Sequence, residues 1–248
     1  MARIARFDRI DALRGLAIGW MTVYHFWFDL DYFGWVDENF TQDPLWTVQR
    51  TLIVALFLLC AGAGQAVAVL QGQSWQRFWR RWAQVAGAAL LVSLGSWWMY
   101  PQTFIYFGVL HGMAVMLLIV RLTAHWGAWL WLAGALAMTS PWVAAAAITN
   151  NDSLLFLNER AFNWLGWISS KPRTEDYVPL FPWLGVMWWG VAATQALLVH
   201  KPLVLTGAIP GVFRPLAWLG TWSLLYYLLH QPVMLGVLQI GQMSGLFK

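Results

Sequence analysis

An imidazole held inside an apolar helix is costly to keep and well suited to moving protons. Three of the chain's five histidines stand in such places: His25, His111 and His230. Asp29 lies one helical turn beyond His25, the i,i+4 spacing at which a carboxylate can orient an imidazole, fix its tautomer and raise its basicity. That pattern suits a general base. Asp11, Arg14, Thr22, His25 and Asp29 also keep to one side of a helix. His111 is bracketed by Gly108 and Gly112 at a spacing that permits close approach, and Gln231-Pro232 follows His230, where the proline frees the Leu228 carbonyl. Counted from the expected helix ends, the three imidazoles lie at a common depth, roughly 10–12 Å below one membrane face, and are expected to line one pocket. His125 and His200 fall at span ends and read as interface residues.

The elements that must position these groups follow from composition. Of 248 residues, 60% are hydrophobic and only 10% charged, against about 25% charge in a typical soluble domain. Mean hydropathy is +0.55. The single cysteine, Cys60, excludes a disulfide scaffold within the chain. Twenty tryptophans and a net charge of +4 fit a membrane protein with aromatic belts and basic cytoplasmic ends. The pI of 9.5 therefore reads as topology, with no nucleic-acid partner. A membrane-crossing helix needs about 20 apolar residues. The apolar blocks do not alternate as barrel strands do, so the fold expected is an all-α, polytopic transmembrane helix bundle. About seven spans are expected, near 13–33, 48–70, 82–100, 104–122, 127–147, 179–199 and 216–238, in one domain covering 1–248.

Basic residues orient the bundle. With the N-terminus cytoplasmic, Arg3, Arg6, Arg9, Arg14, Arg77, Arg80, Arg81, Arg121, Lys201 and Arg214 fall inside. Arg50, Arg160, Lys171, Arg173 and Lys248 fall outside, with every acid except Asp8 and Asp11. The inner cluster Arg77, Arg80 and Arg81 satisfies topology by itself, and also matches an anchor for the phosphates of a nucleotide. The longest outer loop, from about 148 to 178, has the length of a lid or substrate surface. Its Trp164 and Trp167 are placed to stack on a sugar or to sit at the interface, and 154–168 reads as an amphipathic piece on the membrane surface. Phosphate-binding glycine loops, a nucleophile elbow and zinc-protease spacing are absent from the sequence, and no metal site is expected.

Several segments carry a resemblance. They are Arg9-Ile10-Asp11-Ala12-Leu13-Arg14-Gly15-Leu16-Ala17-Ile18, Tyr24-His25-Phe26-Trp27-Phe28-Asp29-Leu30, Phe107-Gly108-Val109-Leu110-His111, Phe181-Pro182-Trp183-Leu184-Gly185 and Ser223 to Val233 with its His230-Gln231-Pro232. In this order the chain resembles the bacterial branch of the heparan-alpha-glucosaminide N-acetyltransferase catalytic-domain family. The resemblance implies a multi-pass protein of the bacterial inner membrane. It would move an acetyl group from cytoplasmic acetyl-CoA to an amine or hydroxyl of an extracytoplasmic glycan or small polar acceptor.

On that reading the partners are the lipid bilayer, an acyl-CoA and the acceptor, and a homodimer is allowed. Asp11, Arg14, Arg77, Arg80 and Arg81 form the cofactor end. His25, oriented by Asp29, is the base. His111 or His230 stabilises the oxyanion or carries the acetyl group, and Gln231, Trp164 and Trp167 meet the acceptor. The rival readings are a haem or quinone oxidoreductase subunit, since opposed intramembrane histidines also hold haem, and a transporter.

Overall fold

The structure is a computed structural model that describes residues 7–244. The expected basic residues Arg3, Arg6 and Lys248 lie outside the described residues. Among the described residues the regular elements are all helices, without strands. The long helices are α1 (Asp8–Tyr32), α2 (Pro44–Leu70), α3 (Trp75–Met99), α4 (Val109–Thr123), α5 (Trp129–Thr149) and α6 (Leu180–His200). Short α7 (Leu203–Thr206) and α8 (Arg214–Thr221) precede α9 (Ser223–Met243).

Helix ends follow local chemistry. Asp8 and Asp11 lie in the first turn of α1, where carboxylates complement the helix dipole. Ser74 caps α3 by accepting from the Arg77 N–H. Gly34 (φ +74°) and Gly72 (φ +65°) end α1 and α2 in matching left-handed turns. In these, Trp35 N–H donates to Leu30 O and Gln73 N–H to Ala68 O, both at 2.9 Å.

Among the described residues, five helices are long and apolar enough to cross a membrane: α2, α4 with its 3-10 extension to Trp126, α5, α6 and α9. α1 and α3 have 25 residues each, about 37 Å at helical rise, but fall short of the other five in apolar character because most of the charged residues within the long helices lie on these two. Several boundaries differ from expectation: α1 and α3 start earlier than the expected 13 and 82, at Asp8 and Trp75. The span expected at 104–122 starts at Val109, because 101–108 is held in a loop paired with 174–178. The span expected at 216–238 breaks at Trp222, so the crossing helix is displaced to 223–243. The expected amphipathic piece at 154–168 is two short 3-10 segments, Asp152–Asn158 and Asn163–Leu165.

The chain divides into two compact units, one holding 58–205 and the other 7–57 with 206–244 of the described residues. In the first, Trp82 Nε1 donates to the Ala114 carbonyl at 2.8 Å, tying α3 to α4. The connection after α5 is fastened internally: Tyr106 and Tyr177 hydroxyls donate to the Asn163 side chain (3.0 Å) and carbonyl (2.6 Å). Arg160 lies over the Phe104 and Tyr106 rings. Burial raises the hydroxyl pKa of both tyrosines above the ordinary range; in Tyr106 the Asn163 bond and Arg160 oppose the shift, and in Tyr177 the neighbouring Tyr106 adds to it.

In the second unit, Met21, Tyr24, Phe40, Trp46 and Ile53 form an apolar core flanked by Trp20, Phe28, Phe57 and Tyr227. Here α1 and α8 cross with almost no side chain between them. A Cβ on Gly15 would fall on the Leu216 carbonyl, and one on Gly220 on the Asp11 carbonyl. The Arg-Gly pair of the N-terminal motif is thus a helix-crossing device: Gly15 gives the closeness, and Arg14 crosses to the Gly220 carbonyl at 3.4 Å.

Candidate functional site

Within the second unit, α1 and α9 carry three interhelical pairs in the same order along both helices: Thr22 with Tyr226, His25 with His230, and Asp29 with Gln231. The two helices therefore run in the same direction. The His25 and His230 rings meet edge to face, with centroids 5.2 Å apart. Two of the three deep histidines are thus brought together.

Their hydrogen bonds define the chemistry. His230 Nδ1–H donates to the Tyr227 carbonyl at 2.7 Å, which leaves Nε2 with its lone pair free. Gln231 donates its side-chain N–H to Asp29 Oδ1 at 2.5 Å. A carboxylate only accepts, so this bond turns the amide oxygen of Gln231 away from Asp29. Four buried atoms here have no hydrogen-bond partner: His25 Nδ1, Asp29 Oδ2, His230 Nε2 and Gln231 Oε1. The last three are acceptors. Buried polar atoms are rarely left so, and their concentration between two helices marks a site. Tyr24 and Phe28 close it from the sides, at 5.7 and 6.5 Å from the His25 ring.

The expectation that Asp29 orients His25 is corrected by these contacts. Asp29 is 1% exposed and bonded to Gln231, and His25 Nδ1 is without a partner. The i,i+4 spacing brought the two groups near, but the amide from α9 offered the carboxylate a donor of better reach. Gln231, expected to meet the acceptor, uses one N–H on Asp29 and keeps its unpartnered oxygen for a ligand.

His111 belongs to the other unit and is not the mid-helix group expected. It is the third residue of α4, and its Nδ1 accepts from the Gly108 N–H at 3.3 Å. Its Nε2 pairs with Ser93 Oγ at 3.0 Å, and Ser93 in turn donates to the Ile105 carbonyl at 2.7 Å. Both ring nitrogens are satisfied, as in a helix-capping residue. Asp176 completes the cap by accepting from the Val109 N–H at 2.7 Å.

Asp11 and Arg14 form an ion pair of 2.7 Å, so the guanidinium expected to hold phosphate already has an anion. Arg77, Arg80 and Arg81 belong to the other unit and lie on the first two turns of α3, half-buried to exposed. Trp167 stacks on Phe181 at 4.9 Å and donates to Ser140 Oγ, and Trp164 packs on Phe107 while donating to the Ala161 carbonyl. Both rings pack within the first unit and remain half-exposed. The sequence reading missed Thr22–Tyr226; the signal was present in the polar phase of α1, but its partner was not.

The family model described as heparan-alpha-glucosaminide N-acetyltransferase, catalytic, matches residues 6–232. Neither a curated protein nor a solved structure was found to match.

Proposed function

Because the chain belongs to the heparan-alpha-glucosaminide N-acetyltransferase catalytic family, a family of membrane acetyltransferases, we propose that it transfers an acetyl group from acetyl-CoA to a hydroxyl or amine of a sugar-like acceptor across the bacterial inner membrane. The observation that carries the reading is the cluster of unpartnered acceptors between α1 and α9. A ligand that satisfies it must bring hydrogen-bond donors, and an attacking O–H or N–H group is such a donor.

The chemistry follows from the atoms. The acceptor's O–H or N–H donates to His230 Nε2, while Asp29 Oδ2 and Gln231 Oε1 take further donors and orient the molecule. As the nucleophile attacks the thioester carbonyl, its proton passes to Nε2, and the resulting imidazolium keeps Nδ1–H on the Tyr227 carbonyl. Collapse of the tetrahedral intermediate breaks the C–S bond, and the departing CoA thiolate takes the proton from the His230 imidazolium, which restores the neutral imidazole. His25 stands at the ring edge, where it can donate to the oxyanion or relay the proton. An apolar surround slows competing hydrolysis. The forked guanidinium groups of α3 have the chemistry to hold phosphate.

The parallel course of α1 and α9 supports an odd number of crossings, hence a first and a last helix entering from the same face. A haem between His25 and His230 is disfavoured by the edge-to-face contact at 5.2 Å, which leaves no slot for a macrocycle.

The test is acetyl-CoA turnover by the detergent-purified protein, with glucosamine and simple polyols offered as acceptors, beside His25→Ala and His230→Gln. CoA release that needs an acceptor and is lost in both variants supports the proposal. Absence of turnover together with absence of saturable acetyl-CoA binding would sink it.

A further inference from the structure

His230 Nδ1–H bonds to the Tyr227 carbonyl, which fixes the tautomer; the plane of the ring is set by what packs against it. A second restraint comes from Tyr226. Its ring lies nearly parallel to the imidazole, 9° from coplanar with centroids 6.0 Å apart. Its hydroxyl reaches α1, 3.0 Å from Thr22 Oγ1. Thr22 donates its own proton to the Ile18 carbonyl at 2.8 Å, so Tyr226 must be the donor in the pair. The phenol proton is therefore committed to α1 and is not available for catalysis. What remains is mechanical: a flat plate beside the imidazole, pinned at its far end to the opposite helix.

We propose that Tyr226, anchored on Thr22, is a positioning residue for His230 that holds the imidazole plane in its edge-to-face contact with His25. The inference rests on the reading of His230 as the proton acceptor, but the geometry it describes exists whatever the reaction. The hydrogen bonds run Tyr226 O–H to Thr22, then Thr22 O–H to Ile18, and they close at a backbone carbonyl of α1. The anchor therefore moves with α1, the helix that carries His25. Losing the hydroxyl alone keeps the plate but frees its far end, while losing the ring removes both.

The experiment uses the full chain in detergent with ¹⁵N-histidine labelling, the His230 signals being assigned by their disappearance in His230→Gln. Tyr226→Leu is expected to shift or broaden the His230 ring signals, and to lower kcat about ten-fold while leaving the KM for acetyl-CoA unchanged. Tyr226→Phe and Thr22→Val remove the same hydrogen bond. Each is expected to give the same smaller loss of kcat, roughly three-fold, and the double variant no more than either alone. Melting temperature is recorded for each, and if Tyr226→Leu does not fold, the Phe and Val pair carries the test. Unchanged His230 signals in Tyr226→Leu, or additive losses in the double variant, would overturn the proposal. So would a Tyr226→Phe as inactive as His230→Gln, since the hydroxyl would then be acting on the reactants. A wild-type protein without acetyl-CoA turnover counts against the function proposed above, and the ¹⁵N signals still decide the role of Tyr226.

Discussion

Gln231 reaches from α9 to Asp29 on α1 and donates its amide N–H at 2.5 Å to a carboxylate that is 1% exposed. This bond sets the register in which His230, one residue earlier, meets His25. It predicts an asymmetry between two substitutions. Asp29→Asn keeps an oxygen for the amide and should melt within a few degrees of wild type while losing most turnover. Gln231→Leu strands the carboxylate without its donor and should lower stability by about 1–3 kcal/mol. Thermal unfolding in detergent beside turnover separates the two.

The histidines should separate by role. His230→Gln is expected to lose at least about 100-fold in turnover, the usual contribution of a positioned acid or base. His111→Gln retains an acceptor for the Gly108 N–H and should be close to wild type. His111→Ala should cost about 1 kcal/mol of stability, as lost caps do, with turnover per folded molecule unchanged. A dead but stable His111→Gln would return His111 to the chemistry.

The α1–α8 crossing predicts which glycines cannot change. Gly15→Ala and Gly220→Ala each place a methyl on a backbone carbonyl and should destabilise by about 1–3 kcal/mol, with poor yield. Gly19→Ala has nothing within 4 Å of the added carbon and should be neutral or slightly stabilising. The readout is the melting temperature of the three variants.

The arginines divide as well. Replacing Arg77, Arg80 and Arg81 by Gln should raise the KM for acetyl-CoA about ten-fold, with kcat preserved and the effect shrinking at high salt. Arg14→Gln should instead lower stability, because it leaves Asp11, 7% exposed, without its cation. A KM effect confined to Arg14→Gln would reverse the assignment.

Tyr106 and Tyr177 give the structure an alkaline limit. Burial raises both above the ordinary tyrosine value of 10.0, so the folded chain holds their protons where the unfolded chain has released them. Their contribution to stability is full below about pH 10 and declines as pH rises toward the folded values. Tyrosinate absorbance should show late-titrating hydroxyls, with one fewer in each of Tyr106→Phe and Tyr177→Phe.

Much of this was legible in the order of residues. The lack of charge and the long apolar blocks determine a helical membrane bundle, because unpaired backbone groups cannot be left in hydrocarbon. The motif segments announced the family that the match over 6–232 establishes. His25, Asp29, His230 and Gln231 stood out because polar groups inside apolar helices are few. What the sequence could not tell is who pairs with whom. Spacing along α1 favoured Asp29 for His25, since only neighbours on the same helix are visible there; the structure gives Asp29 to Gln231, a residue 202 positions away. Likewise Arg14 looked free for phosphate until Asp11 closed on it, and His111 looked mid-helix until the 101–108 loop moved the start of α4 to Val109. Burial, and with it the demand for partners, can be read from composition. The partners themselves come from helix packing, which brings together side chains that the sequence keeps apart.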